Sequence, residues 1–141
     1  MQLLLIHGLC MTTAFALVFP IGAAVARYRK RVAANALAGA PGRRAGDNWL
    51  TQHSWIQSAG TLLMLLGALS AFFALESHLD SPHKLLGVTL VAYVLFVQPA
   101  LGAETRDTPR DRWKHRMFGR AAIVLAWLNL SAGAAMWFGY L

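Results

Sequence analysis

Charge is scarce in this sequence. Only 13% of its 141 residues are charged and 57% are hydrophobic; the charged share is about half that of an average soluble domain, which excludes an ordinary water-facing surface. Acidic residues are scarcer still, with six Asp and Glu against thirteen Lys and Arg. The single cysteine, Cys10, excludes an intrachain disulfide. Its place inside an apolar run makes it a small core side chain in preference to a redox or metal group. No polar stretch is long enough for a separate soluble domain, so residues 1–141 read as one membrane domain.

What is abundant is long apolar runs. Gln2 to Ala26, Leu50 to Leu75, Leu85 to Ala103 and Ala121 to Leu141 are free of Lys, Arg, Asp and Glu. A hydrocarbon core of roughly 30 Å takes about 20 apolar residues in helical form. The sequence therefore predicts four spans, at about 2–26, 50–75, 83–102 and 115–140. Short connections make neighbouring spans antiparallel, and the fold class is all-α, an integral membrane up-down four-helix bundle. The first run lacks a basic start and exceeds the apolar stretch of a cleavable leader, so it is expected to stay as the first span. Pro20 and Gly22 are expected to kink it. Asp47 or Asn48 reads as the cap of span two, Ser81-Pro82 as cap and first residue of span three, and Asp111 as the cap of span four. No sequence repeat is close enough to indicate a duplication.

The net charge of +7 raises the question of nucleic acid, and its distribution answers it. Arg27, Arg29, Lys30, Arg31, Arg43 and Arg44 follow span one. Arg106, Arg110, Arg112, Lys114, Arg116 and Arg120 lie between or just inside spans three and four. In an antiparallel bundle both groups fall on one face, and only Lys84 lies elsewhere. The basic side is assigned to the cytoplasm, with both termini and the Glu76–Pro82 connection outside. The compact form suggests a bacterial inner membrane. This is a topology signal and an anion site, with no nucleic-acid partner implied. Trp49, Trp55 and Trp113 suit the inner interface; Trp137, Phe138 and Tyr140 suit the outer one.

Four of the five histidines, His7, His53, His83 and His115, fall one per span near the start of each helix. Ionisable residues inside spans are uncommon and usually face the bundle interior. Spans one and three start outside, so His7 and His83 share a depth. Spans two and four start inside, so His53 and His115 share the other. Each is a diagonal pair across an up-down bundle, and two imidazoles facing across the axis can ligate one haem iron from both sides. Gly8, Gly87 and Gly119 lie beside these histidines or one turn on, where a flat macrocycle needs room. On span two, the stripe His53, Gln57, Gly60, Met64, Gly67 reads as a lining. A lone histidine at a helix end is more often an interfacial or hydrogen-bonded residue, and Gly at such spacing is more often a plain helix contact; four at matched depths shift that balance. Each pair lacks an obvious carboxylate or thiolate for a tetrahedral zinc site. His78, beside Glu76 and Asp80, reads as solvated.

These residues fall in blocks: His7-Gly8 with Met11, Phe19-Pro20, Gly22 and Ala26-Arg27-Tyr28; Trp49, His53 and Gln57; His83 with Leu86-Gly87-Val88, Gln98-Pro99 and Gly102; and Trp113, His115-Arg116, Gly119-Arg120, Asn129 and Gly133. In this order they resemble the cytochrome b561 family, in the core domain of its DOMON-linked and ferric-reductase-like members. The resemblance covers nearly the whole chain. It implies a four-helix core with two b-type haems (iron), held by His7 with His83 and by His53 with His115. It also implies transmembrane electron transport by an oxidoreductase, from an ascorbate- or quinol-like donor inside. The acceptor outside would be ferric iron, semidehydroascorbate or a partner protein. Many members carry flanking spans or a DOMON domain, and this sequence is expected to hold the four-helix core alone. A partner protein on the outer side, or a homodimer, is then expected.

Arg27, Arg116 and Arg120 lie near the inner haem depth and are read as cofactor-binding, through propionates or an anionic donor; topology and headgroup binding are the competing reading. Phe15, Phe19, Met64 and Phe96 are candidates to fill the space between the haems. Gln57, Gln98 and Asn129 either bond a ligand histidine or propionate or bridge helices. No residue is singled out as catalytic. Two other functional classes compete: a haem-bearing membrane anchor relaying electrons for a partner redox enzyme, and a haem-free interaction or transport protein with structural histidines.

Overall fold

The structure is a computed structural model, and it describes residues 1–28, 48–76, 79–104 and 109–139. Most of both basic connections, His78, Asp47 and Tyr140 lie outside the described residues, as do the expectations placed on them. All regular structure among the described residues is helical, in four long helices: α1 (Gln2–Tyr28), α2 (Asn48–Ala74), α3 (Pro82–Ala103) and α4 (Pro109–Trp137). All four are long and apolar enough to cross a membrane, as the apolar runs require.

The start of α3 follows from local chemistry. Ser81 is extended, its hydroxyl accepts the Lys84 backbone N–H, and Pro82 takes the first helical position, where no N–H is needed. Helix α4 begins at Pro109, so Asp111 lies inside its first turn and is not its cap; proline again supplies the start.

The break in α1 is a widening and not a simple kink. Thr13–Val18 is π-helical, and α3 has the same feature at Tyr93–Val97. Each widened segment stands just before a proline, Pro20 or Pro99. A proline ring clashes with the carbonyl four residues back, here that of Ala16 or Leu95. Both carbonyls lie within the widened turns, which relieve the clash without ending the helix.

The helices form two tight hairpins, α1–α2 and α3–α4, and the hairpins touch each other only sparsely. The α1–α2 seam is built on small residues. A Cβ on Gly60 would stand 2.7 Å from the Phe19 ring, and one on Gly67 would stand 3.1 Å from the Cys10 Cβ. The stripe Gly60, Met64, Gly67 therefore admits α1, as small residues do between membrane helices. Met11, Ala14, Phe15, Phe19, Met64, Leu90 and Ala126 make the buried core. Phe96 is 73% exposed and does not join Phe15, Phe19 and Met64 there; Leu90 is the core residue of α3.

Candidate functional site: two histidine pairs

The bundle brings the four span histidines together two by two. His7 and His83, on the diagonal helices α1 and α3, have ring centres 6.3 Å apart with planes at 88°. His53 and His115, on α2 and α4, repeat this at 6.3 Å and 86°. The pairing is the one topology demands.

Three of the four rings are held from behind by a backbone carbonyl. His7 Nδ1 donates to the Gly67 carbonyl at 2.9 Å, His53 Nδ1 to that of Gly22 at 2.9 Å, and His83 Nδ1 to that of Asn129 at 3.0 Å. A carbonyl can only accept, so Nδ1 carries the proton and the lone pair is left on Nε2. The fourth histidine follows the pattern incompletely. The Gln98 backbone is the corresponding partner of His115, but the buried Nδ1 lies outside hydrogen-bond geometry and has no partner among the described residues.

These contacts are reciprocal within each hairpin. α1 and α2 exchange His7–Gly67 and His53–Gly22; α3 and α4 place His83 on Asn129 and His115 beside Gln98. Histidine and acceptor are separated by the same interval in corresponding helices: from His7 to Gly22 as from His83 to Gln98, and from His53 to Gly67 as from His115 to Asn129. The two hairpins are thus equivalent halves around the site, a symmetry the side-chain sequence hides. At 1.5 Å per residue this interval sets the two levels roughly 20 Å apart.

The remaining polar residues sort by place. Gln57 bridges to the Phe19 carbonyl at 3.4 Å, and Gln98 donates to the Tyr93 hydroxyl at 3.2 Å across the widened turn of α3. Asn129 gives its backbone carbonyl to His83, while its side-chain Oδ1 is buried without a partner among the described residues. Gly133 is required by His83: a Cβ there would lie 2.6 Å from the ring Cε1. Gly87 and Gly119 face the Asn129 and Gln98 side chains, and Gly8 has open space beside it. Sequence reading missed the backbone acceptors altogether, because a carbonyl carries no residue signature.

Arg27 is exposed at the basic end of α1. Arg116 and Arg120 are also exposed, and with Trp113 and Met117 they line a groove of about 430 Å³. At roughly 100° per residue, that groove lies on the face of α4 turned away from His115. The structure does not bring these two arginines to the histidine pair.

Fold and site together define an all-α membrane bundle with two stacked histidine pairs. This chain is 27% identical to the cytochrome b561, DM13 and DOMON domain-containing protein of Arabidopsis thaliana, over 91% of this chain and 14% of that protein. It is 29% identical to a second Arabidopsis protein, named cytochrome b561 and DOMON domain-containing, over 90% of this chain and 33% of that one. The chain therefore spans a third or less of the length of these relatives, and the match supports its resemblance to the cytochrome b561 family. No family model matches the chain, and no solved structure matches it.

Proposed function

We propose that this chain carries electrons across a membrane through two b-type haems, one held by His7 and His83 and the other by His53 and His115. The spacing of the rings carries the reading. Two metal–nitrogen bonds of about 2 Å, with each ring nitrogen roughly 1.1 Å from its ring centre, separate the centres by about 6.2 Å. Both pairs stand at 6.3 Å. Among the described residues no three of His, Cys, Asp and Glu gather, so each pair would hold a haem iron through two imidazole nitrogens alone. The sparse contact between hairpins is where such a group fits. The names of both relatives support the same assignment.

Bound haem supplies one-electron chemistry at iron, with a potential set by axial ligands, burial and nearby charge. The residues of this chain do the rest. The carbonyls of Gly67, Gly22 and Asn129 orient the rings and raise the basicity of Nε2, as outer partners of metal-bound imidazoles do. Phe15, Phe19 and Met64 keep water from the space between the levels. In this reading the basic end faces the cytoplasm and takes an ascorbate- or quinol-like donor, with Arg27 available to an anionic group. The opposite end faces ferric iron, semidehydroascorbate or a protein acceptor. Both relatives are plant proteins.

The test is a reduced-minus-oxidised visible spectrum of the purified protein with haem measured per chain. Two low-spin haems are expected. His53→Leu or His115→Leu should each remove one, and His7→Leu or His83→Leu the other. A haem-free protein, after haem is supplied during expression, would sink the proposal.

A second reading is favoured by the relatives, in which the matching stretch is the smaller part of a protein that also has a DOMON domain. The chain is then a relay that hands electrons to or from a partner at its outer end. Acceptor reduction that requires an added partner protein distinguishes it.

A further inference from the structure

Two shallow grooves occupy equivalent places on the outside of the bundle. One, about 360 Å³, is lined on α2 by Leu50, Thr51, Ser54, Trp55 and Ser58. The other, about 430 Å³, is lined on α4 by Trp113, Arg116, Met117 and Arg120. The offset that carries His53 onto His115 also carries Thr51 onto Trp113, Ser54 onto Arg116, Trp55 onto Met117 and Ser58 onto Arg120. The grooves are therefore counterparts, at one depth near the basic end. Both turn away from the histidines, since residues on the His115 side of α4, Ala122 and Ala126, are buried in the core.

They differ in charge. The α2 groove is neutral and hydroxyl-bearing. The α4 groove holds two guanidinium groups one turn apart, and neither has an acidic partner among the described residues. The Arg116 Nε donates to the Arg112 carbonyl, and both arginines are exposed. Guanidinium groups match phosphate oxygens in bidentate geometry. Toward the membrane centre the same face of α4 continues in Val124 and Leu128, both exposed and apolar. Phosphate-binding groups at the interface above a bare apolar strip fit one kind of ligand, an anionic lipid with its chains along the helix.

We infer that the Trp113–Arg116–Met117–Arg120 groove binds the headgroup phosphate of an anionic phospholipid, and that its counterpart on α2 does not. The site stands apart from the histidine pairs and does not rest on their loading.

The experiment counts retained lipids by native mass spectrometry on the haem-supplied protein in micelles carrying phosphatidylglycerol or phosphatidylcholine. The wild type should retain one phosphatidylglycerol per chain, favoured roughly thirtyfold over phosphatidylcholine, the scale expected of two basic groups at a membrane surface. The double variant Arg116→Ser, Arg120→Ser, which copies the α2 groove, should lose that preference. The reverse variant, Ser54→Arg with Ser58→Arg, should gain a second phosphatidylglycerol, which keeps the test open if the first variant folds poorly. Equal retention of both lipids by the wild type overturns the inference, as does a preference that survives the double variant. Displacement by a large excess of inorganic phosphate overturns it in favour of a free-anion site. Loss of haem with lipid preference intact overturns it in favour of a propionate role for these arginines.

Discussion

His83 shows how much a single position depends on its neighbours. Its ring is held by the Asn129 carbonyl and lies against Gly133, where no Cβ fits. Gly133→Ala should therefore displace the ring and, on the proposed function, release the haem of the His7–His83 pair, seen as about one haem per chain in place of two. Gly87→Ala, whose Cβ would meet the Asn129 Nδ2 at an ordinary 3.4 Å, should keep both. The ring planes at 88° and 86° carry a second expectation. If both rings of a pair held one haem iron in these orientations, two iron d orbitals would be nearly degenerate, and the ferric protein would give strongly anisotropic low-spin EPR signals. A rhombic spectrum typical of parallel rings would contradict the geometry. Histidines at helix starts were legible as candidates from depth alone; their carbonyl partners were not, since any residue provides one.

Among the elements, α1 and α3 depart from regular helix in the same way. Widening frees backbone carbonyls from the usual ladder, and one of them finds a partner. The Trp127 indole N–H donates to the Phe15 carbonyl at 2.9 Å, tying α4 to the widened turn of α1. This is one of few direct links between the hairpins. Interhelical hydrogen bonds in membranes contribute about 0.6 kcal/mol on average and at most about 1.7. Trp127→Phe should lower stability by an amount in that range, measured by thermal or SDS unfolding with haem content held equal. The prolines announced a disturbance in α1 and α3; its form depended on a clash that only a folded helix develops.

For the molecule as a whole, the division into hairpins is the main feature. Packing is close within α1–α2 and α3–α4 and sparse between them, while both histidine pairs straddle the gap, one histidine from each hairpin. On the proposed function, a haem held by each pair would be the principal bridge. Halves of the chain separated after Glu76 and expressed together should assemble into a stable complex when haem is available and separate when it is withheld. Co-purification through a tag on one half measures this. Assembly that is indifferent to haem would show that helix packing alone joins the halves.

The sequence by itself determined the four spans, their antiparallel order, the basic end and the diagonal pairing of His7 with His83 and His53 with His115. These rest on apolar length, charge position and helix direction, which are properties of the chain read along its length. Only the tertiary structure decided the rest. It revealed the carbonyl supports, the equivalence of the hairpins and the use of Gly60 and Gly67 as helix contacts. It also moved Phe96 out of the core and turned Arg116 and Arg120 away from His115. Which way a helix face turns is fixed by what packs against it, and a carbonyl becomes an acceptor only when another helix brings a donor to it.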